Sequence, residues 1–261
     1  RDKYGVKLVD TKKDRFRKLT YDGLTMEVSE TMLNAGFFIN LPVLKGHCQT
    51  LMTCCLKNMK GCLSDRSKRD FHRWGLMQPI AALNMLVKPS LHIIDSISGD
   101  LDFEEGGNPV ETDRMMIGTD PVLLDAYGAS LMGFTPDEVE YIPIAESYGR
   151  GSMDIESAKI TELNKPEAGS IRPTGAVSRL ASHTAPDMAC SACYASLIHA
   201  LKRLEENGGM RKLGNMKIAC GQGWKGKTME IGSGVCCSGA KHSVKGCPPS
   251  AADILAMLER L

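Results

Sequence analysis

AGFFINLPVL (residues 35–44) is the run on which the fold turns. It is almost wholly apolar, ten residues long and without helical spacing, so it predicts a strand buried on both faces, as in a parallel sheet. It runs into Lys45-Gly46-His47, which places a cation and an imidazole at a strand's carboxyl end, where open α/β sheets bind ligands. LHIIDSI (91–97) predicts a second buried strand with Asp95 near its carboxyl end. Between the two, Leu51, Cys55 and Met59 recur at four-residue spacing, predicting a helix over about 48–60. Residues 75–87 predict another, stopped by Lys88-Pro89. Downstream come an acidic, glycine-rich loop (98–113), a short strand (114–118), and a helix opened by Asp120-Pro121. A further helix opens at Thr135, and a last strand spans 155–163. Upstream, residues 4–9 read as a strand and 12–22 as charged surface. Strands alternating with helices predict an α/β domain over 1–163, with a doubly wound, mostly parallel sheet and helices on both faces.

Pro166, Gly169, Pro173, Gly175 and Pro186 mark residues 164–187 as a linker. Beyond it, residues 188–261 read as a smaller C-terminal α/β module that is rich in cysteine. Cys190-Ser191-Ala192-Cys193 is a C-x-x-C at the start of an amphipathic helix; Cys236-Cys237 lies among Gly232, Gly234 and Gly239; Cys247-Pro248-Pro249 precedes a final helix. Two thiolates from one turn and two brought in by the fold make a four-sulfur site, which serves a 4Fe–4S cluster or a structural zinc. Three details favour the cluster. Cysteine followed by proline recurs at cluster sites, the glycines let backbone N–H groups approach inorganic sulfide, and zinc knuckles usually bring two C-x-x-C pairs. The expected ligands are Cys190, Cys193, Cys236 and Cys247, with Cys237 and Cys220 as alternates.

Composition narrows the field further. With 32 basic and 31 acidic residues in 261, the chain carries no field to draw in nucleic acid or an anionic membrane. No apolar run reaches the roughly 18–20 residues of a membrane span. Ten cysteines in a chain that is 43% hydrophobic suit a reducing cytoplasm better than a disulfide scaffold. Lys45 and His47, with Lys57-Asn58 nearby, suit a carboxylate or phosphate, although the motif alone favours solvated lysines and a turn-capping histidine. Asp120 is explained as a helix cap, whereas Asp125, on an apolar helix face, needs a partner. GQGWKG (221–226) matches no phosphate-loop pattern and reads as a turn. Cys48, Cys54, Cys55 and Cys62 could form a second metal site, but they read better as small buried hydrophobes.

INLPVLKGH, LKNMKG (56–61), LHIIDSISG with GGNP, and GTDPVLLDAYGASLMG (118–133) together resemble the domain-of-unknown-function 362 family over residues 35–163. Its members are uncharacterised proteins of anaerobic bacteria and archaea, many with iron–sulfur centres. CSACYASLIHAL, GQGWKGK, GSGVC and GCPPSAADIL resemble the C-terminal extension of a subset, whose cluster cysteines fall at Cys190, Cys193, Cys236 and Cys247. This chain departs from the subset in having Cys237 where threonine is commoner and Cys220 before Gly-Gln-Gly. The resemblance also implies a further N-terminal segment, of which residues 1–10 would be the end. Expected, then, is a cytoplasmic redox protein passing electrons to a partner or to a small acidic substrate held by Lys45, His47 and Asp95. The alternatives are a scaffold with a structural metal or a metal-maturation factor.

Overall fold

The structure, a computed structural model, describes residues 3–103, 109–163 and 175–261. Its elements run β1 (Phe16–Tyr21), β2 (Leu24–Ser29), α1 (Glu30–Leu33), β3 (Ile39–Asn40), β4 (Lys45–His47), β5 (Leu51–Thr53) and α2 (Cys55–Asn58). Then come α3 (Asp65–Trp74), α4 (Met77–Leu86), β6 (Leu91–Asp100), β7 (Pro109–Gly118), α5 (Pro121–Leu131) and α6 (Tyr141–Ser147). The chain closes with α7 (Ala176–Ala181), β8 (Thr184–Pro186), α8 (Ser191–Glu206), β9 (Ile218–Cys220), β10 (Met229–Ser233), β11 (Ala240–Val244) and α9 (Ala251–Leu258). They form two compact units. One comprises Arg1–Leu44, Thr53–Ile97 and Asp113–Gly169; the other comprises Lys45–Met52, Ser98–Thr112 and Ser170–Leu261. No helix among the described residues is long and apolar enough to cross a membrane.

In the first unit, β1 and β2 pair antiparallel from Phe16↔Ser29 to Tyr21↔Leu24. Asp22 and Gly23, with φ of 48° and 75°, make the two-residue turn between them; both must be left-handed for the turn to match strand twist. A three-stranded sheet follows in the order β3-β6-β7, with Ile39 opposite Leu91 in parallel register. Only two residues of the 35–44 run are regular strand. Pro42 has no N–H for the ladder, and pairing resumes beyond it through Asp95 N to Pro42 O (2.9 Å) and Leu44 N to Asp95 O (2.8 Å). The run is covered on one side only: Asn40 and Leu44 are buried, whereas Phe37 and Leu41 are 66% and 65% exposed. Met115 and Ile117 of β7 are exposed as well. A continuous apolar run marks a strand without stating how many faces are covered. The described sheets of this unit are thus a hairpin and a three-stranded sheet, with no single parallel sheet wound on both sides among them. Residues 155–163, expected as a strand, are irregular.

The expected long helix over 48–60 is replaced by a turn, β5 and the short α2, because Leu51 takes a left-handed φ of 63°. α5 begins as expected, with Asp120 Oδ1 accepting the N–H groups of Val122 (2.8 Å) and Leu123 (3.1 Å).

The second unit holds a parallel four-stranded sheet in the order β11-β10-β9-β8. α8 lays Leu197, Ile198, Leu201 and Leu204 against Ile218, Ile231, Ile254 and Leu258, all fully buried. Each such side chain contributes about 1.5–3 kcal/mol of transfer free energy before entropy. Of the expected linker, residues 164–174 lie outside the described residues, while α7 and β8 lie within 175–187. In the 98–113 loop, residues 104–108 likewise lie outside the described residues, and its flanks extend β6 and β7. Gly46 of β4 runs directly against another backbone: a Cβ there would meet Leu101 O at 2.3 Å. Gly46→Ala is expected to cost at least about 1–3 kcal/mol in urea unfolding, since the obstructing atom is backbone and cannot rotate away. A change within a few tenths would show that β4 has room to shift.

Candidate functional site

Parallel strands present their carboxyl ends at one edge of a sheet, and this topology gathers the cysteines of the second unit. Cys190 follows β8, Cys220 ends β9, Cys236 and Cys237 follow β10, and Cys247 follows β11. No disulfide joins any of the ten cysteines. Cys190 is the N-cap of α8 and Cys193 lies in its first turn, so both stand at the end of a 16-residue helix whose dipole favours thiolate. Burial pushes the Cys193 thiol up to about 12, and the neighbouring Cys190, Cys247, Cys236 and Cys237 push the same way. Five sulfurs from three loops therefore crowd one edge of the sheet. A bound metal would relieve that crowding, because it binds thiolates and displaces their protons.

The two adjacent cysteines face different surroundings. Cys237 is fully buried, with its Sγ donating to Ala219 O at 3.4 Å. Its thiol is raised by burial, although the backbone N–H groups of Gly221 and Ser233 act in the opposite direction. Cys236 is half-buried, and Cys247 is exposed. Gly234, at φ 85°, passes within reach of Cys193 Sγ, 3.9 Å from where a Cβ would stand. Beside it, Ser233 Oγ is buried without a hydrogen-bond partner among the described residues. Close glycine backbone and an unmet hydroxyl donor are what a sulfide-bearing group would accept, so these residues fit a 4Fe–4S cluster.

The structure attaches the Lys45–His47 segment to this edge. Lys45–Met52 belongs to the unit of the cysteines, and Gln49 makes the link: its Nε2 donates to Ala189 O (3.1 Å), and Ser191 Oγ donates to its Oε1 (2.9 Å). These bonds flank Cys190 on both sides. His47 is buried, its Nδ1 accepting the N–H groups of Gln49 (3.1 Å) and Thr50 (3.2 Å). The ring thus anchors the turn through Nδ1 and keeps its proton on Nε2. Asp95 is in the other unit, with Oδ1 accepting Ile97 N–H at 3.0 Å. Gln222 of the 221–226 turn donates to Cys190 Sγ at 3.7 Å, and Trp224 Nε1 pins that turn to Ala185 O at 2.8 Å. Neither Gln49 nor Gln222 stands out in the sequence, because a lone amide has no motif.

The first unit holds a separate group. Asp125 is fully buried on α5 and finds its partners in another helix, accepting the N–H groups of Cys55 (2.7 Å) and Leu56 (3.2 Å). Burial raises its carboxyl to about 7 and the Cys55 thiol to about 11, and it raises Cys54 further. Ligand atoms of Cys54, Cys55 and Asp125 all lie within 4.8 Å of one another, so the three could hold a metal ion. Cys62, raised to about 12 by burial, is a buried thiol in the sense expected of it.

The family model described as "Domain of unknown function (DUF362)" matches residues 1–130. A thylakoid-associated protein of Synechocystis sp. is 31% identical over 101 residues, covering 36% of this chain. The match spans only 30% of that protein's length. No solved structure matches the chain.

Proposed function

We propose that this is an iron–sulfur protein that binds one 4Fe–4S cluster through Cys190, Cys193, Cys236 and Cys247 and transfers electrons to a partner or to a small acidic substrate in an anaerobic cytoplasm. One observation supports this reading: the loops after β8, β10 and β11, at the carboxyl ends of parallel strands, carry these thiols near the N-terminus of α8. When bound, such a cluster supplies single electrons. The chain's own residues do the rest. The α8 dipole offsets the charge of the thiolates. Gln222 donates to Cys190 Sγ, and a hydrogen bond to a ligating sulfur raises its potential. Gln49 holds the Lys45–His47 turn against the Cys190 segment. Lys45 would offer charge to an acidic substrate, and His47 would give or take a proton at Nε2, its Nδ1 being committed to the turn. Asp95, tied to its own backbone turn, is the weakest member of the expected trio.

Protein purified without oxygen is expected to contain iron and acid-labile sulfide in equal amounts, with absorbance near 400 nm that dithionite bleaches. Zinc without sulfide would leave a structural metal site in the place of a redox centre. Iron held at Cys54, Cys55 and Asp125 would come without sulfide and would survive loss of the C-terminal cysteines.

A further inference from the structure

A further constellation lies in the first unit, beside the Cys55 backbone and the start of α5. Asn40, 3% exposed, orders it: its Oδ1 accepts from Asn58 Nδ2 (2.7 Å), and its Nδ2 donates to Cys55 O (3.1 Å) and pairs with His92 Nδ1 (3.1 Å). Because the amide nitrogen faces that ring atom, Nδ1 is the acceptor and the proton of His92 sits on Nε2. His92 is wholly buried, and that Nε2 has no hydrogen-bond partner among the described residues. Arg150 repeats the pattern: its Nε is buried and has no hydrogen-bond partner among the described residues. Its backbone is held firmly, Arg150 N donating to Ala145 O (3.0 Å). Ser152 N donates to Asp120 Oδ2 (3.0 Å), and Gly151 is pressed so close to Asp120 that a Cβ would overlap its carboxylate. Arg150 and Asp120 are both near enough to His92 to influence its proton. Two buried N–H donors left unmet are costly, about 1–3 kcal/mol each, and such pairs are kept where a ligand supplies the acceptor.

We propose that His92 Nε2 and the Nε edge of Arg150, ordered by Asn40 and Asn58, bind the carboxylate of a small organic acid. The Nε–Nη edge of a guanidinium is the fork that grips a carboxylate through two parallel bonds. Charge points the same way. His92 is held neutral, burial with the nearby Arg150 depressing it to about 4, and the Asp120 carboxylate is taken up by the N–H groups of Val122, Leu123 and Ser152. The site thus offers a single cation, which matches a monoanionic carboxylate better than a phosphate dianion. Asn58 is exposed and Arg150 half-buried. The assignment stands without the C-terminal thiols.

The full chain, labelled for nitrogen NMR of its histidines, would be titrated with acetate and lactate, and separately with inorganic phosphate. Expected is a saturable shift of the His92 Nε2–H signal with the carboxylates and a much smaller one with phosphate. Arg150→Lys keeps the charge and loses the fork, and it should weaken binding about tenfold or more. Failure of either carboxylate to move the signal would mean that water meets both donors, and the proposal falls. It falls equally if phosphate binds as tightly, or if Arg150→Lys binds like the parent. Iron content should be the same in parent and variant, so the outcome is independent of the cluster.

Discussion

Asp125→Ala is expected to destabilise the protein by about 3–5 kcal/mol. The carboxylate is fully buried and serves two N–H groups at the start of α2. Its loss leaves both donors unmet and opens a void. Urea unfolding at pH 7 measures it; a loss below 1 kcal/mol would mean that water replaces the carboxylate. The pH dependence carries a second signature. The carboxyl titrates near 7 in the folded protein against 3.8 when free, so between those values the folded state keeps a proton that the unfolded chain has released. Stability therefore falls as pH rises through that window and levels off above it. From pH 5 to pH 8 this group should remove about 2–3 kcal/mol. Asp125→Asn, which cannot ionise, should flatten the profile by that amount; equal slopes in parent and variant would refute the shifted carboxyl.

Serine at Cys236 and serine at Cys237 should give opposite outcomes. Cys236→Ser is expected to abolish most of the iron and sulfide, together with the absorbance near 400 nm, because a neutral hydroxyl replaces a thiolate ligand. Cys237→Ser should keep the iron while losing about 1–2 kcal/mol of stability, since it replaces a buried, hydrogen-bonded thiol with a more polar group. Loss of iron only from Cys237→Ser would exchange the ligand assignment between the two.

Much of the local structure is legible from residues close in the chain. Asp120-Pro121 opens a helix, Ser250 caps α9 by accepting Asp253 N–H at 3.1 Å, and the leucines of α8 declare its buried face. The hairpin was legible too: Asp22-Gly23 is a two-residue turn signal, hidden by the charges of residues 12–18. Local cues misled where one residue's backbone decided the outcome, as with Leu51, whose left-handed φ ends the helical spacing before it starts. They also misled where hydrophobicity stood in for burial, as at Phe37 and Leu41.

By itself the sequence determined that six of the ten cysteines lie beyond residue 189, with a C-x-x-C at a helix start and Cys-Pro near the end. These are short-range facts, and spacing records them. Only the tertiary structure decided that Cys236 and Cys247 come to the edge where Cys190 and Cys193 lie, that Gln49 brings the Lys45–His47 turn there, and that Asn40, His92 and Arg150 leave two donors unmet. Those juxtapositions arise from parallel pairing and side-chain packing between segments 11 to 140 residues apart. No spacing along a chain encodes which strand ends share an edge.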